Sequence, residues 1–180
     1  MNKQRMKTRD VAFAFRMGAG FPGDVNRSHP ASIEPCMNDV QTPVTLFGQP
    51  VLCDTTDQSV RPFAAGDASD TVPAGYGISV RPYPFQQASA SNFGEASIGA
   101  APVPAGAIDV LRAGYIMGKL NTGTAAKGAP VYVWCAATSG SHIQGGLETA
   151  ASSGNTVQLK NATFNGKADA QGNVEIAFNI

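Results

Sequence analysis

The stretch IDVLRAGYIMGKL, residues 108–120, has strand character from end to end and decides how the rest of the chain can fold. Gly114 and Gly118 inside it suggest bulges or the bend of a barrel strand, since glycine within a strand marks a kink or a close approach of another backbone. Toward the C-terminus the same character continues through APVYVWCAAT (129–138), HIQGGLE (142–148) and TVQLKNATF (156–164). In the last of these, Val157 and Leu159 alternate with Thr156, Gln158 and Lys160, a period of two. DAQGN (169–173) reads as a turn, and NVEIAFNI (173–180) then places Val174, Ile176, Phe178 and Ile180 on one face. Toward the N-terminus the short runs VTLF, PVLCD, SVRPFAAG and YGISVRPY lie between residues 44 and 83, and QPVLCDTTDQSVRPFAAGD (49–67) reads as a hairpin turning at TTDQ.

Composition points the same way. The 180 residues hold 20 Gly and 12 Pro, and outside residues 1–17 the longest stretches free of both are 51–61 and 155–165. Helices of three or more turns have almost no room. The fold class expected is therefore mainly β: a small β-barrel or β-sandwich with long loops, little helix and an extended N-terminal arm. Residues 1–17 form the arm and 18–180 one β-rich domain, within which the Ala-, Ser-, Gly- and Pro-rich segment 82–106 is a long surface loop.

Charge is scarce and balanced. Asp, Glu, Lys and Arg make up 14% of the chain, against about 25% in an ordinary domain, and 13 basic groups meet 13 acidic ones. Gross charge thus proposes neither a nucleic-acid nor a membrane partner. The balance conceals a basic arm, with Lys3, Arg5, Lys7 and Arg9, on an acidic body. No run approaches the ~20 apolar residues of a membrane span, and the first twenty residues lack the apolar core of a signal peptide. Within the arm, Val11, Phe13, Phe15 and Met17 alternate as in a strand. Next comes GAGFPGDVNRSHPASIEP (18–35), dense in turn chemistry, whose few large side chains, Phe21, Val25 and Ile33, would pin it to its own barrel or to a neighbouring chain.

Motifs of catalysis are lacking. His29 and His142 have no metal-ligand spacing, and Cys36, Cys53 and Cys135 form no CxxC pattern and read as free thiols. A Cys–His nucleophile would need geometry that nothing local supplies. There is no phosphate-binding loop or nucleophile elbow, and the carboxylates are spread singly, so a glycosidase-like pair has no support from spacing. No catalytic, cofactor-binding or metal-binding residues are expected. Tyr132 and Trp134 alternate with Val131, Val133 and Cys135, so one set faces the core and the other a surface or partner. Together with Tyr115 they could form a sugar-binding platform, the alternative being an oligomer contact or a second core layer.

A resemblance runs through most of the chain. AFRMGAGFPGDVNRSHPASIEP (14–35), YGISVRPYPFQ (76–86), DVLRAGYIMGKL (109–120), KGAPVYVWCAATSG (127–140) and FNGKADAQGNVEIAFNI (164–180) resemble, in this order, the structural cement or head decoration proteins of tailed bacteriophages. That resemblance implies a non-enzymatic protein, made in the host bacterial cytoplasm and carried on the outer capsid surface of the virion. Its partners would be the major capsid protein and itself, as a homotrimer at local three-fold positions or, alternatively, a dimer at two-folds. Phe13 and Phe15, on a strand added to a neighbour's sheet edge, and Phe21, Asp24 and Arg27 in the loop behind it become the candidate capsid or neighbour contacts. For Asp24 and Arg27 the competing role is an internal turn bridge. The rival function is a carbohydrate-binding β module on the virion surface.

Overall fold

The computed structural model describes residues 20–68, 75–82 and 106–180. The arm with Phe13 and Phe15, and all but the ends of the loop expected at 82–106, lie outside the described residues. The chain is mainly β, as expected, and the described helix is a single 3-10 turn, Ala65–Asp67. In order the strands are β1 (Ser32–Asn38), β2 (Pro50–Cys53), β3 (Ser59–Pro62), β4 (Gly77–Ser79), β5 (Ala107–Thr122), β6 (Pro130–Trp134), β7 (Leu147–Glu148), β8 (Thr156–Phe164) and β9 (Asn173–Phe178).

Their pairings close on themselves twice. β5 pairs with β4, then β2, β3 and β1 follow, and β1 returns to β5. On the other half of its length β5 pairs with β7, then β6, β8 and β9 follow, and β9 returns to β5. Nine strands thus form two closed rings that share one long strand. β1–β3 and β5–β7 are parallel; the other pairs are antiparallel. Closure matters because an open sheet edge presents unpaired N–H and C=O groups to any passing strand.

The handover falls at Gly114. Ala113 is the last β5 residue opposite β1, facing Ser32, and Gly114 is the first opposite β9, facing Phe178. Gly114 has φ +139°, and a Cβ there would lie 2.8 Å from the Pro30 carbonyl oxygen. Only glycine fits both demands. Farther along, a Cβ on Gly118 would lie 2.4 Å from Leu147 Cδ1 and 2.9 Å from Ile176 Cδ1, so its bare Cα lets β7 and β9 pack against the strand.

Alternation sorts the core into two clusters. Val51, Val60, Ile108 and Val110, with Val44, fill the smaller one. One residue along the same strands, Leu52 and Leu111 point into the larger cluster, joining Ile116, Val133, Leu159, Phe164, Val174, Ile176 and Phe178. Val131, Val133 and Cys135 are fully buried, as their period of two predicts.

Several local expectations are corrected. Residues 32–38, read as the end of a loop and its sequel, form β1. VTLF (44–47) is not a strand, because the Asn38 side chain captures both polar groups of Val44: its Oδ1 accepts from Val44 N at 2.8 Å and its Nδ2 donates to Val44 O at 3.2 Å. HIQGGLE contributes only the two residues of β7. Ile180 does not join the buried face of β9 but is exposed beyond it, after Asn179 at φ +53°. The hairpin of β2 and β3 forms as read, with Cys53 opposite Val60 and Val51 opposite Pro62.

Candidate functional site

Residues 20–27 rivet the first turn-rich loop onto β5. Gly23 N donates to Met117 O at 2.8 Å, Met117 N donates to Asp24 O at 2.9 Å, and Arg81 N donates to Gly23 O at 2.9 Å. Val25 bridges Ile116 and packs on the larger core. The loop is thus pinned to its own rings through Val25, while Phe21 stays 47% exposed and Ile33 is exposed on β1.

Asp24 and Arg27 serve the chain itself. Asp24 Oδ2 accepts from Phe21 N at 2.8 Å, and its Oδ1 lies 3.6 Å from Arg81 Nε. Arg27 Nη2 pairs with Glu175 Oε2 at 2.9 Å, and its guanidinium lies 3.8 Å over the Tyr115 ring. Burial pulls the Glu175 carboxyl up, but hydrogen bonds from Asn165, Arg27 and Asn26 outweigh it and hold the group below its ordinary value. Both residues thus make polar contacts within the chain, Asp24 in its own turn and with Arg81, Arg27 with Glu175 far along the sequence.

Beside Phe21 opens an apolar cleft of 350 Å³, whose walls include Phe21, Leu46, Gln49, Lys119 and Ile143. Leu46 is 39% and Ile143 40% exposed. The Gln49 amide sits on the floor at 4% exposure. Its Nε2 donates to Gln144 O at 3.3 Å, while its Oε1 is buried with no hydrogen-bond donor. Sequence reasoning named Phe21 alone among these residues, because they come from four separate loops and strands, with Leu46 and Gln49 sharing the loop between β1 and β2.

A second surface surrounds β1, where Met37 and the neighbouring Val40 are also exposed. Behind it a hollow of 680 Å³ is lined in part by Glu34, Cys36, Cys53 and Tyr76. Tyr76 donates its hydroxyl to Glu34, and the Arg112 guanidinium stacks 3.4 Å over the Tyr76 ring. Burial pushes both thiols up, Cys36 further helped by Glu34, which keeps them protonated and poorly nucleophilic. The bond to Glu34, with burial second, pushes the Tyr76 phenol up to about 12. A phenol raised in the fold adds stability that is complete below its ordinary value of 10 and lost as pH rises through about 12. In a tyrosinate absorbance titration Tyr76 should ionise above the ordinary tyrosine value, and Tyr76→Phe should abolish that late component; a titration that the substitution leaves unchanged would contradict the Tyr76–Glu34 bond.

Neither histidine meets a cysteine. His142 Nδ1 lies 2.8 Å from Glu148 Oε1, and its ring stacks on Trp134 at 4.2 Å between centroids. Glu148 is buried and also accepts from Asn121 at 3.0 Å and Thr122 at 2.5 Å. This cluster fastens the loop between β6 and β7. It also roofs Trp134, which is buried, as Arg27 roofs Tyr115, so these two rings do not stand as an open sugar platform. The three cysteines are free thiols. Among the described residues no group of His, Cys, Asp and Glu is arranged to hold a metal ion.

Comparison with known proteins places these features in context. The family model described as XM1 gp53 minor capsid protein matches residues 11–178. Among solved structures, a chain in "The capsid of Myoviridae Phage XM1" superposes with a TM-score of 0.63 at 14% identity, covering 92% of this chain and 93% of that chain. Identity that low speaks for a shared fold. No curated protein sequence matches.

Proposed function

The chain belongs to the XM1 gp53 minor capsid protein family, a family of structural capsid proteins of bacteriophages, and from that premise we propose that it acts as a cement on the outside of the assembled shell. The observation that carries the reading is the family match over residues 11–178. In this reading the protein binds the major capsid protein, stabilises contacts between capsomers, performs no catalysis, and works as a homotrimer at local three-fold positions. The arm, residues 1–17, is the part exchanged with a neighbour.

The surface suits such work. Phe21, Leu46 and Ile143 around the cleft, and Ile33, Met37 and Val40 around β1, are large exposed apolar groups, the kind that mark protein contacts when they gather in patches. With so few charges, contacts made through them depend little on salt. A protein that binds the closed lattice but not its separated pieces stabilises the lattice by linkage, about 2.7 kcal/mol per site at a hundredfold excess over Kd. Three joined copies docking together amplify modest contacts through effective concentration.

Adding the purified protein to heads that lack it should raise the temperature at which they release DNA, with saturation at a fixed copy number. Heads that bind none of it, or that bind it and open at the same temperature, would refute the proposal. A glycan array gives the complementary measurement, since specific carbohydrate binding would favour the rival reading.

A further inference from the structure

We infer that Asn165 is a site of spontaneous modification, its side-chain amide cyclising onto the main-chain nitrogen of Gly166, and that the Glu175 carboxylate is the brake on that step. The inference goes beyond the reading above and does not depend on it.

The chemistry follows from one dipeptide. Asn165 is the only asparagine in the sequence followed by glycine. An asparagine side chain meets the next main-chain nitrogen through a five-membered ring. A Cβ on that next residue hinders the approach, and glycine has none and turns freely. The Gly166 nitrogen forms a bond to Asn165 Cγ, the Cγ–Nδ2 bond breaks, and Nδ2 leaves as ammonia with the proton from Gly166 N. Water, the second reactant, then opens the cyclic imide at either carbonyl. Addition at Cγ leaves aspartate; addition at the main-chain carbonyl leaves isoaspartate, with the backbone rerouted through Cγ. Neither product reverts to asparagine, so both accumulate with the age of the chain.

The nucleophile is unguarded. Gly166 N–H donates to no other group among the described residues, and even a Cβ at this position would meet nothing within 4 Å. Asn165 itself stands one residue past the end of β8, and strand ends open at low cost. The electrophile, by contrast, is tethered. Asn165 Nδ2 donates to Glu175 Oε2, and Asn165 N donates to Glu175 O at 2.9 Å. A side-chain nitrogen held on a carboxylate and a main chain held beside β9 must both come loose before the ring closes. Glu175 therefore sets how often the step is attempted.

The product falls on a junction. Glu175 also pairs with Arg27 and accepts from Asn26, which ties the loop before β1 to β9. Either product sets a carboxylate against a carboxylate where a donor had stood, so a hydrogen bond is lost and a repulsion replaces it.

Warm incubation of the folded, full-length protein at mildly alkaline pH, followed by peptide mass analysis and isoaspartyl methyltransferase labelling, tests both parts. No aspartate in the sequence is followed by glycine, so label should appear on the peptide holding residues 165–166 ahead of all others. Gly166→Ala, at a position with room for the methyl, should slow the reaction on the order of tenfold. Glu175→Gln should hasten it roughly tenfold, the worth of a hydrogen bond to a charged group, and should match wild type in concentrated urea, where the tether is gone. Arg27→Ala disturbs the same junction but keeps the tether, and its rate should stay near that of wild type. Asn165→Asp, which writes one product into the gene, should raise the Glu175 carboxyl in a carboxyl NMR titration. Label absent from 165–166 in the folded protein, label spread evenly over several asparagines, or an unchanged rate in Gly166→Ala would remove the site. A Glu175→Gln rate no faster than those of wild type and Arg27→Ala would remove the brake, and an unmoved Glu175 titration would break the link to the junction.

Discussion

Phe178→Ala should cost about 3–5 kcal/mol of folding stability, the range for truncating a buried phenylalanine. Phe178 is buried where three strands of the larger ring meet: it faces Gly114 of β5 on one side and Ala162 of β8 on the other. Its ring joins Phe164, Ile116 and Ile176 in the larger core, and β9 is the strand that completes that ring. The loss therefore combines a cavity with a weakened closure. Against a total stability of ~5–15 kcal/mol it would leave a large unfolded fraction at modest urea. Chemical denaturation measures it, with Phe178→Leu as the milder comparison. A loss below about 1 kcal/mol would mean that β9 does not seal the core.

Gly114→Val should be comparably severe and should differ in reach. The position combines φ +139° with a backbone carbonyl 2.8 Å from where a Cβ would go. A β-branched residue is a genuine outlier at positive φ, strain of that kind costs on the order of 1–3 kcal/mol, and overpacking adds about 1–3 more. Gly114→Ala should fall between wild type and Val. Because Gly114 is the handover between rings, hydrogen exchange should show lost protection both in β1, which pairs with β5 before it, and in β9, which pairs after it. Phe178→Ala should loosen β8 and β9 first. Identical protection maps for the two variants would argue against β5 as the element that couples the rings.

Much of this architecture was legible where the sequence alternates cleanly. Residues 108–120 announced a strand by their pattern, the β2–β3 hairpin by its turn, and β9 by Val174, Ile176 and Phe178. β1 was hidden because Pro35, which has no N–H, sits in its middle and turn residues crowd its start. VTLF misled in the opposite direction: its pattern suits a strand, but Asn38, six residues away, satisfies its backbone with a side chain. Asp24 and Arg27 were recognisable as polar anchors, yet the partner of Arg27, Glu175, stands almost at the other end of the chain. The cleft was invisible for a related reason. Each of its walls is an unremarkable residue in its own segment, and only the folding of both rings around β5 brings them together.

The single strand shared by two rings has a mechanical corollary. Pulling the rings apart along the direction of β5 loads the hydrogen bonds it makes with β1 and with β9 in shear, many at once, because the antiparallel ladder bonds run perpendicular to the strands. Peeling would break them one after another, but β5 has paired neighbours on both sides, β1 and β4 along one half and β7 and β9 along the other. Under an optical trap the unfolding force should therefore depend strongly on whether the handles pull along β5 or across it.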